Sequence, residues 1–196
     1  NESSGQQGYE IAIALNKLGI KTTLITGPSK LVSPKGVKIK KIISADDMLN
    51  EVKKTLPVDL AVCTAAVADF KPVEKNKNKI KKDKLNFKSI NFVKNNDILD
   101  FLSKNNRNRP QIVAGFSAET KSIIKNSIQK MKNKNCDIIF ANDVSKKDIG
   151  FNSEFNKVSM IDQKGNIKII PKNKKSFIAN KIAQILLDKL IDDRNI

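Results

Sequence analysis

The sequence predicts an α/β fold: a three-layer sandwich with a mainly parallel, Rossmann-like sheet and a C-terminal β-hairpin. Three observations predict it. Apolar, β-branched runs alternate along the chain with stretches of helical periodicity. Two of those runs, residues 58–67 and 111–117, are nearly continuously apolar, as strands buried on both faces of a parallel sheet are. Between residues 158 and 170, Lys164-Gly165-Asn166 supplies the tip of a hairpin. The 196 residues show no internal repeat and suit one domain spanning 1–196.

In order, Ser3-Ser4-Gly5-Gln6-Gln7-Gly8 is a small-residue turn, and residues 9–18 place Ile11, Ile13, Ala14, Leu15 and Leu18 at helical spacing. Gly19 closes that helix. Residues 21–26 form a strand stopped by Gly27-Pro28, and 37–43 a second. Ser44, with Asp47 three residues on, starts a helix through Leu56 by a capping-box pattern. After the apolar run 58–67, residues 69–88 become rich in Lys and Asn and poor in core residues. They read as an exposed loop, with 71–85 as its mobile part. Asn96 or Asp97 caps a short helix through Leu102. Residues 119–134 form a helix, 137–141 a strand and 175–191 a final amphipathic helix. A Gly-rich turn entering a helix normally follows a strand, so a first strand is expected ahead of residue 1.

Composition narrows the chemistry. With no His, every His-ligated zinc site and His-based triad is excluded, leaving Lys, Asp, Glu, Asn and the backbone for acid, base or charge work. Cys63 and Cys136 cannot form a disulfide framework and lie in apolar stretches; they read as reduced, buried and cytoplasmic. No apolar run approaches the ~20 residues that cross a bilayer, and no leader precedes the first turn, so neither membrane nor export is expected. The net charge of +17 suggests nucleic acid. However, all but three of the 37 cations are lysines, spread along the chain and often beside Asn, without basic–aromatic interleaving. No nucleic-acid partner is expected.

Four constellations could carry chemistry. Gly5-Gln6-Gln7-Gly8 ahead of a helix can offer backbone N–H groups to an anion, or be a structural turn. Thr64-Ala65-Ala66-Val67-Ala68-Asp69 ends the most apolar strand, where open α/β sheets bind ligands. Small side chains there leave space for a planar group or phosphate, and Asp69 suits a sugar hydroxyl; close packing with a solvated Asp is the alternative. Lys79-Ile80-Lys81-Lys82 could bring a phosphate clamp on a flexible loop, or be a solvated charge run. Lys130 and Lys134, one turn apart, could serve a triphosphate or only the end of their helix. Phe116, ending another strand, could pack on a base or sit in the core.

In this order the motifs resemble the phosphopantothenate–cysteine ligase family, the synthetase half of the bacterial bifunctional coenzyme A biosynthesis flavoprotein. The matching landmarks are Asn1-x-Ser3-Ser4-Gly5-x-x-Gly8, Ala65-Ala66-Val67-Ala68-Asp69-Phe70, Lys79-Ile80-Lys81-Lys82, Val93-Lys94-Asn95-x-Asp97-Ile98, Gly115-Phe116-x-Ala118-Glu119-Thr120, Ala141-Asn142-Asp143-Val144 and Gly150-Phe151-Asn152-Ser153. They run over nearly the whole chain. The resemblance implies a CTP-dependent ligase that activates 4′-phosphopantothenate as an acyl-cytidylate and passes the acyl group to L-cysteine, with Mg²⁺ screening the triphosphate. It implies Asn1 at the acyl-cytidylate and Lys79 as the mobile-loop lysine. The nucleotide site it implies comprises Cys63, Thr64, Ala65 and Asp69, then Asn96, Asp97, Ile98 and Leu99, then Phe116, Lys130 and Lys134. Cys63 and Thr64 would contribute backbone, and Asn96 stands where the family commonly has Pro. The family's opening strand and Gly-Gly-Thr loop are not seen before Asn1. Family members form homodimers, and a flavin-dependent decarboxylase is the expected fused partner, with no FMN on this chain. The family's eukaryotic branch uses ATP; this pattern is similar to the CTP-using bacterial branch. The alternatives are a nicotinamide-dependent oxidoreductase, disfavoured by the incomplete G-x-G-x-x-G fingerprint, and a basic nucleic-acid-binding module.

Overall fold

Gly5 takes the left-handed conformation at φ 76° and turns the chain into the first helix, α1 (Gln6–Lys17). The structure, a computed structural model, describes residues 3–74, 90–104, 107–145, 149 and 153–192. The helix therefore begins three residues earlier than periodicity predicts. Gly8 lies in its first turn, because a Cβ there would meet Thr64 Oγ1 at 2.6 Å and only glycine allows so close an approach. Gly19, at φ 81°, ends the helix as expected.

Two short parallel strands follow, β1 (Thr23–Thr26) and β2 (Lys38–Lys41). α2 (Ala45–Thr55) starts from a complete capping box: Ser44 Oγ accepts the Asp47 N–H, and the Asp47 carboxylate accepts the Ser44 N–H. β3 (Leu60–Cys63) comes next, then the antiparallel pair β4 (Phe70–Pro72) and β5 (Phe92–Lys94). α3 (Ile98–Lys104) is capped by Asp97, whose Oδ1 accepts the Asp100 N–H at 2.8 Å. β6 (Ile112–Glu119), α4 (Ile123–Lys134) and β7 (Ile138–Asp143) complete the parallel part. β8 (Phe155–Asp162) and β9 (Ile167–Lys174) form the hairpin, with Gly165 at φ 84° in its tip, and α5 (Lys175–Asp192) closes the described chain.

The principal sheet has the order β3-β6-β7-β8-β9, parallel through β7 and antiparallel beyond. Alternation along β6 and β7 generates the three layers. Ile112, Ala114, Ile138 and Phe140 face α1 and α5, meeting Ile11, Leu15, Ile178 and Ile182. Val113, Ile139 and Ala141 face the other way, against Met48 of α2, Leu99 and Leu102 of α3, and Met131 of α4. Gly115 admits α3 to this face, since a Cβ there would lie 2.6 Å from Leu99 Cδ2.

Several expectations need correction. β1 and β2 form a sheet separate from β3. A cavity of about 860 Å³ runs between β1 and β3, under α1 and α5 on one side and α2 on the other. β3 is therefore half-buried along its length rather than buried on both faces. Lys38 N–H bonds to Thr22 O and Ile112 N–H to Asp59 O. Ladder alternation then turns the backbone groups of Thr23, Ile25, Leu60 and Val62 towards this cavity. The sequence reading expects a further strand ahead of residue 1 but gives it no place in the sheet. The strand 111–117 runs on to Glu119, which shortens the next helix to Ile123–Lys134. β4 and β5 are additional: each has three residues, and exposed Phe70 and Phe92 give no alternating pattern. Of the loop 71–85, residues 71 and 72 belong to β4 and 75–85 lie outside the described residues.

Candidate active site

The carboxyl ends of β3 and β6 open into the mouth of the cavity, where open α/β sheets bind ligands. Because β3 stops at Cys63, the small residues Thr64 and Ala65 turn across this end and leave room above the sheet. The rim returns at Asp69, before β4, and again between β5 and α3. There, Asn95 N–H donates to Asp69 O at 2.7 Å and Asn95 Nδ2 to Ala68 O at 3.0 Å, stitching the two segments together. Asn96 and Asp97 follow, with Ile98 and Leu99 in the first turn of α3. Phe116 rises from β6 and packs on Phe140 with ring centroids 5.3 Å apart.

α4 crosses this edge and brings two cations to it. Lys130 Nζ donates to the Phe116 carbonyl at 2.9 Å, tying the helix to the strand end. Lys134 Nζ lies 2.7 Å from Asp97 Oδ2 and 3.9 Å from Asp100 Oδ1. The Asp97 contact raises the Lys134 pKa against the opposing effect of burial, with smaller contributions from Asp100 and Asp69. Burial acts to raise the Asp97 pKa. Its bonds to Lys134 and the Asp100 N–H, with the charges of Lys134 and Lys130, outweigh burial and hold it below the usual carboxylate range. Burial pushes the Cys63 thiol up to about 12, with help from Cys136 and Asp97. The raised pKa favours the neutral thiol at physiological pH.

The sequence-derived candidates Cys63, Thr64, Ala65, Asp69, Asn96, Asp97, Ile98, Leu99, Phe116, Lys130 and Lys134 all line this one cavity. Asn1 and Lys79 lie outside the described residues. Sequence reasoning missed Asp100, the second acid near Lys134, and Asp46, whose carboxylate accepts from Lys71 Nζ and Asn96 Nδ2 beside the mouth. Asp100 stands three residues after the capping Asp97, a spacing that could have pointed to it. Asp46 lies fifty residues from Asn96 and gives no local signal.

Chemically, the mouth offers an aromatic ring, backbone amides released at a strand end, one exposed carboxylate and two ammonium groups. That set suits a planar base carrying a sugar and a polyanion. Among the described residues, no three His, Cys, Asp or Glu side chains gather as they would around a metal ion. Among the described residues, no helix is long and apolar enough to cross a membrane.

Comparison with known proteins brings further findings. A model of the family described as DNA/pantothenate metabolism flavoprotein C-terminal domain matches residues 1–190. The chain is 41% identical over 188 residues to the coenzyme A biosynthesis bifunctional protein CoaBC of Borreliella burgdorferi, covering 95% of this chain and 47% of that protein. It is 35% identical over 204 residues to CoaBC of Escherichia coli K12, covering 100% and 48%. The chain thus spans about half the length of the curated relatives it matches. The crystal structure of the C-terminal domain of CoaBC aligns with a TM-score of 0.79 at 30% identity, over 97% of this chain and 85% of that one. A Cab2 mutant in complex with phosphopantothenate-cysteine shares the fold, with a TM-score of 0.74 at 12% identity over 100% and 82%.

Proposed function

The chain belongs to the family of the DNA/pantothenate metabolism flavoprotein C-terminal domain, and from that premise we propose that it is a CTP-dependent phosphopantothenate–cysteine ligase of coenzyme A biosynthesis. The observation that carries the reading is convergence. Eleven nucleotide-site residues implied by resemblance, from four separate stretches of sequence, line the mouth of a single cavity at the carboxyl edge of the sheet. The relatives named CoaBC support the pathway, and the Cab2 complex names the product of such a ligase.

In this reading Phe116 packs on the cytosine, and Asp69 holds a ribose hydroxyl. The backbone at Cys63–Ala65 and the ammonium groups of Lys130 and Lys134 receive the triphosphate. Mg²⁺ comes with CTP and screens its charge. A carboxylate oxygen of 4′-phosphopantothenate attacks the α-phosphorus, and pyrophosphate leaves. The amine of L-cysteine then attacks the activated carbonyl carbon, and CMP leaves as the amide forms. Neither step requires a His base or a nucleophilic side chain; positioning and preorganised positive charge supply the catalysis. Asn1 binds the acyl-cytidylate carbonyl, and Lys79 offsets charge on the intermediate.

The active form is a cytoplasmic homodimer, in which a second copy covers the β4–β5 arm. Exposed Phe70, Val73, Ile90 and Phe92 support this, because a two-stranded arm with so much apolar surface is marginal in water on its own. The bifunctional names of the relatives support a fused decarboxylase as partner. The test is pyrophosphate release on mixing the protein with Mg²⁺, CTP and phosphopantothenate before cysteine is added. Release that needs both substrates supports the reading. Release without phosphopantothenate, or nicotinamide turnover in its place, overturns it.

A further inference from the structure

We propose that Asp46 is a positioning residue for the nucleotide mouth, acting through Lys71 and Asn96; this rests on the ligase reading. Asp46 stands in the first turn of α2, but the cap there is made by its neighbour Asp47, which accepts the Ser44 N–H at 2.9 Å and the Ser44 hydroxyl at 2.8 Å. The Asp46 carboxylate is directed outwards, to two chain segments that both border the mouth. Its two oxygens each lie 2.7 Å from Lys71 Nζ, and Oδ1 accepts Asn96 Nδ2 at 2.7 Å.

Lys71 is two residues beyond Asp69, and Asn96 is next to Asn95. The latter donates its N–H to Asp69 O and its side-chain amide to Ala68 O, and its Oδ1 accepts the Asn96 N–H at 3.0 Å. The carboxylate therefore clasps, from outside, the same two strips of backbone that Asn95 joins from within. Both the charge-assisted pair and the amide bond have short, directional geometry. α2 is anchored to the core through buried Met48, so Asp46 refers the rim to the body of the fold.

The sign of one substitution separates this role from simple charge. Removing a carboxylate near a polyanion site strengthens anion binding if only electrostatics matters. Loosening the rim weakens it. For Asp46→Ala the expected result is a CTP dissociation constant raised about 3- to 10-fold by calorimetry, with Asp46→Glu recovering most of the loss. Asn95 amide exchange should also accelerate at least about tenfold, whether or not nucleotide is present. An unchanged or tighter CTP constant overturns the proposal, as does unchanged Asn95 exchange. If Asp46→Ala fails to fold, isosteric Asp46→Asn carries the same test, because it keeps the shape and removes the charge. If wild-type protein gives no heat with CTP, the ligase reading fails, and Asn95 exchange alone then decides whether Asp46 holds the rim.

Discussion

Replacing Lys134 with Gln tests the assignment of the cavity mouth, because its two consequences differ in size. In the free protein the ammonium sits 2.7 Å from Asp97, with 28% and 39% of the two side chains exposed. At that separation the Coulomb attraction is about 1.5 kcal/mol in bulk water, and exposed pairs contribute only ~0.2–1 kcal/mol once ordering is included. Lys134→Gln should therefore lower the melting temperature by no more than ~2–4 °C for a chain of this size. A charge-assisted contact to phosphate contributes ~1.5–3 kcal/mol. After subtracting ~1 kcal/mol, the upper bound for weakening the Asp97 pair, the net loss is about 0.5–2 kcal/mol, or roughly 2- to 30-fold in CTP affinity. Calorimetric titration with Mg²⁺-CTP and with cytidine reads both. CTP binding should weaken by that factor, while cytidine binding, which has no phosphate to lose, stays the same. Equal losses for the two ligands, or no loss for CTP, would refute the phosphate role of Lys134.

Three further outcomes are expected. Gly8→Ala destabilises the wild-type chain, because its Cβ meets Thr64 Oγ1 at 2.6 Å. In a Thr64→Ala background it stabilises instead, by up to ~1 kcal/mol of helix propensity; a denaturation double-mutant cycle reads the change of sign. The Asp97 pKa lies below its ordinary value of 3.8, so the pair with Lys134 stabilises the fold above that pH, and the contribution disappears as pH falls through the lowered value. The stability difference between wild type and Asp97→Asn, which keeps a cap at that position, should be level from pH 6 to 9 and shrink as pH falls below 3.8; a difference that grows on acidification contradicts it. Cys63, moved from 9.0 to about 12, carries on the order of a thousandfold less thiolate than an ordinary cysteine at neutral pH. Cys63 is half-buried rather than buried as the sequence suggests, and only Cys136 is fully buried; alkylation followed by mass spectrometry should find Cys63 correspondingly slow, and rapid labelling of the folded protein counts against the raised pKa.

Much of the fold was legible because its signals are local. Ser44 and Asp47 name a capping box, Gly19 and Gly165 take positive φ, and the apolar faces of β6 and β7 are written in their runs. What was not legible depends on partners distant in sequence. The run 58–67 has the composition of a doubly buried strand, yet β3 is half-buried because the cavity separates it from β1. Gly8 looks like part of a turn until Thr64 is brought against it. β4 and β5 escape notice because three-residue strands carry too little pattern to show against a Lys-rich background. The site divides in the same way. Position in the motifs marked Asp69 and Phe116, spacing of one helical turn marked Lys130 and Lys134, and the structure gathers them. By contrast, the Asp97–Lys134 pair and the Asp46–Lys71–Asn96 contacts exist only once α2, α3 and α4 meet at the rim.

The most direct measurement is amide exchange along the chain with and without Mg²⁺-CTP. Slower exchange across 63–69 and 96–99, with β8 and β9 unchanged, is the predicted result. Protection confined to other segments, or none at saturating nucleotide, would contradict a cytidine triphosphate site at the carboxyl edge of β3 and β6.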